Sequence, residues 1–74
     1  MSAVVKWSVA IRGHRTSFSV EQPFFDALRA IAEARDIPLA ALIAEIDAAR
    51  PRDANLSSAI RLHVLANARS TAAQ

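Results

Sequence analysis

The side chains of this 74-residue chain that could do chemistry are few, and their spacing points to binding rather than catalysis. Arg15, Ser17 and Ser19 recur at every second position, so in an extended strand all three leave from one face. A guanidinium beside two hydroxyls makes that face hydrogen-bonding and positively charged, with no partner acid or base for catalysis. Lys6 and Arg12 widen the positive region and are suited to phosphate. Glu45 and Asp47 stand two apart on an expected helix and diverge, which is poor geometry for a paired acid and base or for a metal. Cysteine is absent and the two histidines, His14 and His63, are far apart, so no zinc ligand set is present. Neither a Gly-rich phosphate loop nor a nucleophile elbow occurs. The expectation is a protein that is not an enzyme and uses no metal and no cofactor.

Charge supports the binding reading through its distribution. The net charge is only +2, yet residues 1–20 hold Lys6, Arg12 and Arg15 with no acid. Residues 21–49 hold Arg29 and Arg35 against Glu21, Asp26, Glu33, Asp36, Glu45 and Asp47, and Arg50, Arg52, Arg61 and Arg69 face a single Asp53 thereafter. A basic N-terminal surface of this kind attracts an anionic polymer. Three cations per chain are few, and association of two copies doubles them.

Size argues for that association. A monomer this short buries too little surface to be comfortably stable, and without disulfides or zinc the remaining source of stability is a second chain. Hydrophobic residues make up 53% of the sequence, with one Gly and three Pro, an apolar surplus that suits an interface between copies. No apolar run approaches the roughly 18 residues of a membrane span, and no apolar stretch followed by a small-residue cleavage site marks the N-terminus. The expectation is a cytoplasmic chain with no membrane association.

The elements that must position the candidate residues follow from periodicity. Residues 4–11 alternate, with Val5, Trp7, Val9 and Ile11 on one side and Lys6, Ser8, Ala10 and Arg12 on the other, which predicts a strand. Around Gly13 the pattern breaks, and a second strand over 15–20 sends Thr16, Phe18 and Val20 inward. Trp7 alternates with Val5 and Val9 and is therefore assigned to packing. His14 is read as a turn residue. Pro23 opens a helix over about 22–35 whose start is complemented by Glu21 and Asp26, with Phe25, Leu28, Ile31 and Ala32 at helical spacing and Asp36 and Pro38 at its end. Pro38 opens a second helix over about 38–49, with Leu39, Leu42, Ile43 and Ile46 as its buried stripe. Residues 50–54 form a polar linker, and Asn55 caps a third helix over about 56–69 with His63 at the margin of its apolar face. Residues 70–74 are expected to fray. The whole chain, 1–74, reads as one domain, mainly α with a short N-terminal β segment.

A strand ending in Phe18-Ser19-Val20, a Pro near a helix start and two helices separated by a few residues resemble the ribbon-helix-helix family of bacterial repressors. Gly13-His14-Arg15-Thr16-Ser17, Leu42-Ile43-Ala44-Glu45-Ile46-Asp47 and Asn55-Leu56-Ser57-Ser58-Ala59-Ile60-Arg61 resemble, more narrowly, a subfamily of small ribbon-helix-helix proteins of one domain. The resemblance implies an intertwined homodimer in which the strand before the first helix pairs antiparallel with its copy, with a third helix added to the usual two. It also implies a regulator of transcription that inserts the ribbon into the major groove of double-stranded DNA. Arg15, Ser17 and Ser19 would face the bases, Lys6 and Arg12 would extend the basic surface, and the backbone amides of Leu39 and Ala40 would meet a phosphate. The alternative use of the same dimer is as an interaction or assembly module for a protein partner. Glu21 at the end of the basic face, and Pro38 where a capping hydroxyl would serve a phosphate better, favour that use. Whether residues 4–11 pair within one subunit or across two is open in the sequence.

Overall fold

The computed structural model describes residues 3–72. Val4–Ile11 (β1) and His14–Glu21 (β2) form an antiparallel hairpin within one chain, with Val5 opposite Val20, Trp7 opposite Phe18 and Val9 opposite Thr16. A two-residue turn sets this register. Arg12 at φ 51° and Gly13 at φ 81° supply the pair of left-handed residues whose twist matches that of the strands. Gly13 is present for that dihedral and not for space, since a Cβ built there meets nothing within 4 Å. Arg12 adopts it at a steric cost of about 1–2 kcal/mol.

The turn corrects three details of the sequence reading. His14 is not in the turn but pairs with Ile11 and starts the second strand, which is one residue longer at each end than 15–20. Arg12 does not continue the outward face of β1, because the turn carries it to the hairpin tip. The pairing left open by the sequence lies within the subunit.

Three helices lie against the inner face. Gln22–Ala34 (α1) buries Phe25, Leu28, Ile31 and Ala32, and Leu39–Ala49 (α2) buries Leu42, Ile43 and Ile46. Leu56–Ala72 (α3) contributes Leu56, Ala59 and Ile60. These are the apolar stripes that helical spacing dictates. The ribbon adds Ile11, Phe18 and Val20, and α2 touches β1 while α1 and α3 touch β2. Trp7 stacks on Phe25 with ring centroids 3.6 Å apart and planes 1° from parallel, so its role is packing on the inner face.

Local chemistry sets the helix ends. α1 stops where Asp36 turns left-handed at φ 57°, and the amides of Asp36 and Ile37 close back onto the carbonyls of Glu33 and Ala32 at 3.0 Å each. This is the paired hydrogen bonding of a Schellman end, with Asp where Gly is usual, and it ends the helix at Ala34 rather than Arg35. Pro38 is the N-cap of α2 rather than its first residue, its carbonyl accepting from Ala41 at 3.0 Å and Leu42 at 3.2 Å. Asn55 caps α3 as expected, its side-chain oxygen accepting from the Ser58 amide at 2.8 Å. α3 runs to Ala72 instead of fraying from Ser70, with Arg69 in its last turn complementing the helix dipole; residues 73 and 74 lie outside the described part. No acid occupies the first turn of α1. Asp26 accepts from Gln22 at 2.9 Å and Glu21 turns elsewhere.

Because the register decides which side chains are inside, Phe18, 3% exposed, is the test position. Phe18→Ala is expected to lower stability by about 3–5 kcal/mol and Ser17→Ala by less than about 0.5 kcal/mol, read from urea unfolding. The reverse ranking would place the serines inward.

Candidate nucleic-acid interface

The outer face of the ribbon is built from cross-strand pairs. Lys6 stands opposite Ser19, Ser8 opposite Ser17 and Ala10 opposite Arg15. Lys6, Ser8, Ala10, Arg15 and Ser17 are exposed and Ser19 is half-buried. Ser8 Oγ and Ser17 Oγ lie 3.5 Å apart in the middle of this face. The face is therefore short hydroxyls at the centre, with longer cations on either side.

Its charge is not neutralised locally. Among the described residues the ion pairs are Arg35 with Glu45, Arg50 with Asp47 and Arg61 with Glu21, so Lys6, Arg12 and Arg15 have no acidic partner. Glu21, the acid that would oppose a polyanion here, accepts from Arg61 Nε at 3.0 Å. That hydrogen bond, followed by the bond to the backbone amide of Glu21, holds the Glu21 carboxyl below its usual range; burial opposes this and the positive charge of Arg61 adds to it. The Arg61 guanidinium also lies 5.9 Å from the centre of the Phe24 ring, a distance at which the ring face attracts a cation.

The backbone edge of β2 is divided. The Ser19 amide donates to Ser57 Oγ of α3 at 2.9 Å, and the Ser19 carbonyl accepts from Arg61 Nη2 at 3.5 Å. The corresponding outward groups of Arg15 and Ser17 have no partner among the described residues.

The structure thus gathers Lys6, Arg15, Ser17 and Ser19 on one surface and sets Arg12 at its tip. Leu39 and Ala40 belong to a separate element. Their amides are free of intrahelical partners, as the first residues of any helix are, while those of Ala41 and Leu42 are turned to Pro38. Pro38 contributes no side-chain cap, and no hydrogen bond joins this helix start to the ribbon among the described residues. Sequence reasoning missed Ser8, although its alternation with Lys6 was visible. It also missed Ser57 and Arg61, which reach β2 across 38 and 40 residues and carry no local periodic signal.

A two-stranded ribbon with a cationic outer face over a layer of helices defines a class of strand-presenting binding protein. The family model for the ribbon-helix-helix domain matches residues 4–68, and the chain belongs to that family. Its members are typically transcription regulators that dimerise and bind DNA. No curated protein and no solved structure matches the chain. Among the described residues no helix is long and apolar enough to cross a membrane.

The Arg61–Glu21 pair has a pH signature. A carboxylate whose pKa is lowered by folding contributes stability above its unfolded pKa, and that contribution is lost as pH falls through the folded value. Arg61→Gln is therefore expected to be less stable than the wild type at neutral pH, with the gap closing as the pH falls through the titration of Glu21. Urea midpoints at neutral and acid pH read this directly. A gap of constant size would assign the role of Arg61 to Phe24 and Ser19 alone.

Proposed function

We propose that the protein is a homodimeric DNA-binding regulator that reads duplex DNA with the outer face of its ribbon. The observation that carries this is the cationic face of Lys6 and Arg15, with Arg12 at its tip, which has no ion pair among the described residues, while Glu21 is paired with Arg61. In this reading β2 of one copy pairs with β2 of the other, Arg15, Ser17 and Ser19 face the bases, and Lys6 and Arg12 meet phosphate. The free amides of Leu39 and Ala40 add phosphate contacts flanking the groove. Arg15 carries most of the base discrimination, because its planar fork can grip guanine while serine hydroxyls accept several bases. Expression in the cytoplasm, where its target lies, is part of the same reading.

A second reading keeps the dimer and gives the ribbon a protein partner. It draws on the apolar side chains left outside, Leu62 at 61% and Leu65 at 51% exposed on α3, and on the weak discrimination of a serine-rich face. Salt separates the two, since neutralising phosphates makes binding fall steeply and logarithmically with salt.

Arg15→Ala is expected to cost about 1–3 kcal/mol on a preferred duplex and to flatten sequence preference, whereas Lys6→Ala weakens all duplexes alike and reduces the salt slope by roughly one. Fluorescence anisotropy across a salt series measures both. Wild-type protein that binds no duplex at low salt would leave the protein-partner reading in possession of the ribbon.

A further inference from the structure

We infer that α3 is a latch on the edge of β2, and that its first two turns must release Ser19 before two copies of the chain can join their ribbons. The inference rests on the dimeric reading above and assigns it a regulating step.

The hairpin's own hydrogen bonding decides which groups are involved. With Ile11 and His14 closing a two-residue turn, the even-numbered residues of β2 exchange bonds with β1, and Arg15, Ser17 and Ser19 direct their N–H and C=O groups to the opposite edge. The Ser19 amide is found on that edge, bonded to Ser57. Two β2 strands related by a twofold axis must therefore align odd residues with odd. Two registers overlap the eight-residue strand most fully. One is centred on Ser17 and sets Ser19 against Arg15 of the second copy. The other is centred on Phe18 and sets Ser19 against Ser17 of the second copy. Both need the Ser19 N–H and C=O.

Those are the two groups that α3 holds, through Ser57 Oγ at 2.9 Å and Arg61 Nη2 at 3.5 Å. A neighbouring strand lies about 4.8 Å from β2, and a helix is roughly 10 Å across, so the two cannot occupy the same stretch of edge. The latch covers the Ser19 end and leaves Arg15 and Ser17 open, which suits a strand edge protected from indiscriminate pairing until its proper partner arrives. Leu56, Ala59 and Ile60 keep the same helix in the core, so α3 shifts rather than detaches. The ion pair that reinforces the latch leaves 34% of the Arg61 side chain and 31% of the Glu21 side chain exposed, and surface pairs of this kind open readily.

The dissociation constant of the full chain, measured by fluorescence-detected sedimentation from nanomolar concentrations upward, tests the latch. Ser57→Ala is expected to tighten the dimer on the order of tenfold, because each copy loses a hydrogen bond that exists only while the latch is closed. Ser57→Thr keeps the hydroxyl and should stay within about twofold of the wild type. Arg61→Gln, which frees the Ser19 carbonyl, should shift association in the same direction as Ser57→Ala and carries the test if that variant fails to fold. A monomeric wild type beside a dimeric Ser57→Ala supports the latch. A dimeric wild type whose constant is unmoved or weakened by Ser57→Ala and Arg61→Gln overturns the latch and leaves the dimer standing. Wild type and variants that are all monomeric at every concentration overturn the dimeric reading and the latch with it.

Discussion

The pairing of Trp7 with Phe18 across the hairpin is the constraint on which the rest of this structure depends. A strand sends alternate side chains to opposite faces, so a slip of one residue would exchange the two faces completely. In the observed register Phe18 and Val20 seal the helical layer, Trp7 stacks on Phe25, and Lys6, Arg15 and Ser17 are left in solvent. The core and the basic surface are two consequences of one alignment. The Arg12-Gly13 turn holds that alignment from one end, and the apolar inner face holds it along its length.

α3 connects this alignment to the chemistry of the surface. Arg61 meets Glu21, the carbonyl of Ser19 and the face of Phe24, so one side chain ties the end of the ribbon to the start of α1. The same contact offsets the negative charge of Glu21 at the end of the cationic face. Placed two residues to either side along the helix, an arginine would point elsewhere. The third helix therefore does more than enlarge the core, for it sets both the electrostatics of the ribbon and the availability of its edge.

Much of this was legible in the sequence because it is local and periodic. The two-residue alternation of Val5, Trp7, Val9 and Ile11, and the helical stripes of Phe25-Leu28-Ile31 and Leu42-Ile43-Ile46, gave the elements and their buried faces. Asn55 announced its cap through chemistry alone. The turn was displaced by one residue because Arg12 has no intrinsic preference for the left-handed region, and the strands, not the turn residues, impose it. The helix ends shifted where Asp36 took a position usually given to Gly and where α3 continued past Arg69. Glu21 was read as a liability because its partner lies 40 residues away, a separation at which no periodicity operates.

In the proposed function, the register turns the outer face of the ribbon into the surface that meets DNA. Amide chemical shifts followed by NMR during titration with a short duplex at low salt test it most directly. The largest shifts are expected at Lys6, Ser8, Arg15, Ser17 and the Arg12-Gly13 tip, with little change around the exposed Leu62 and Leu65. Shifts confined to α3, or none at all, would contradict it.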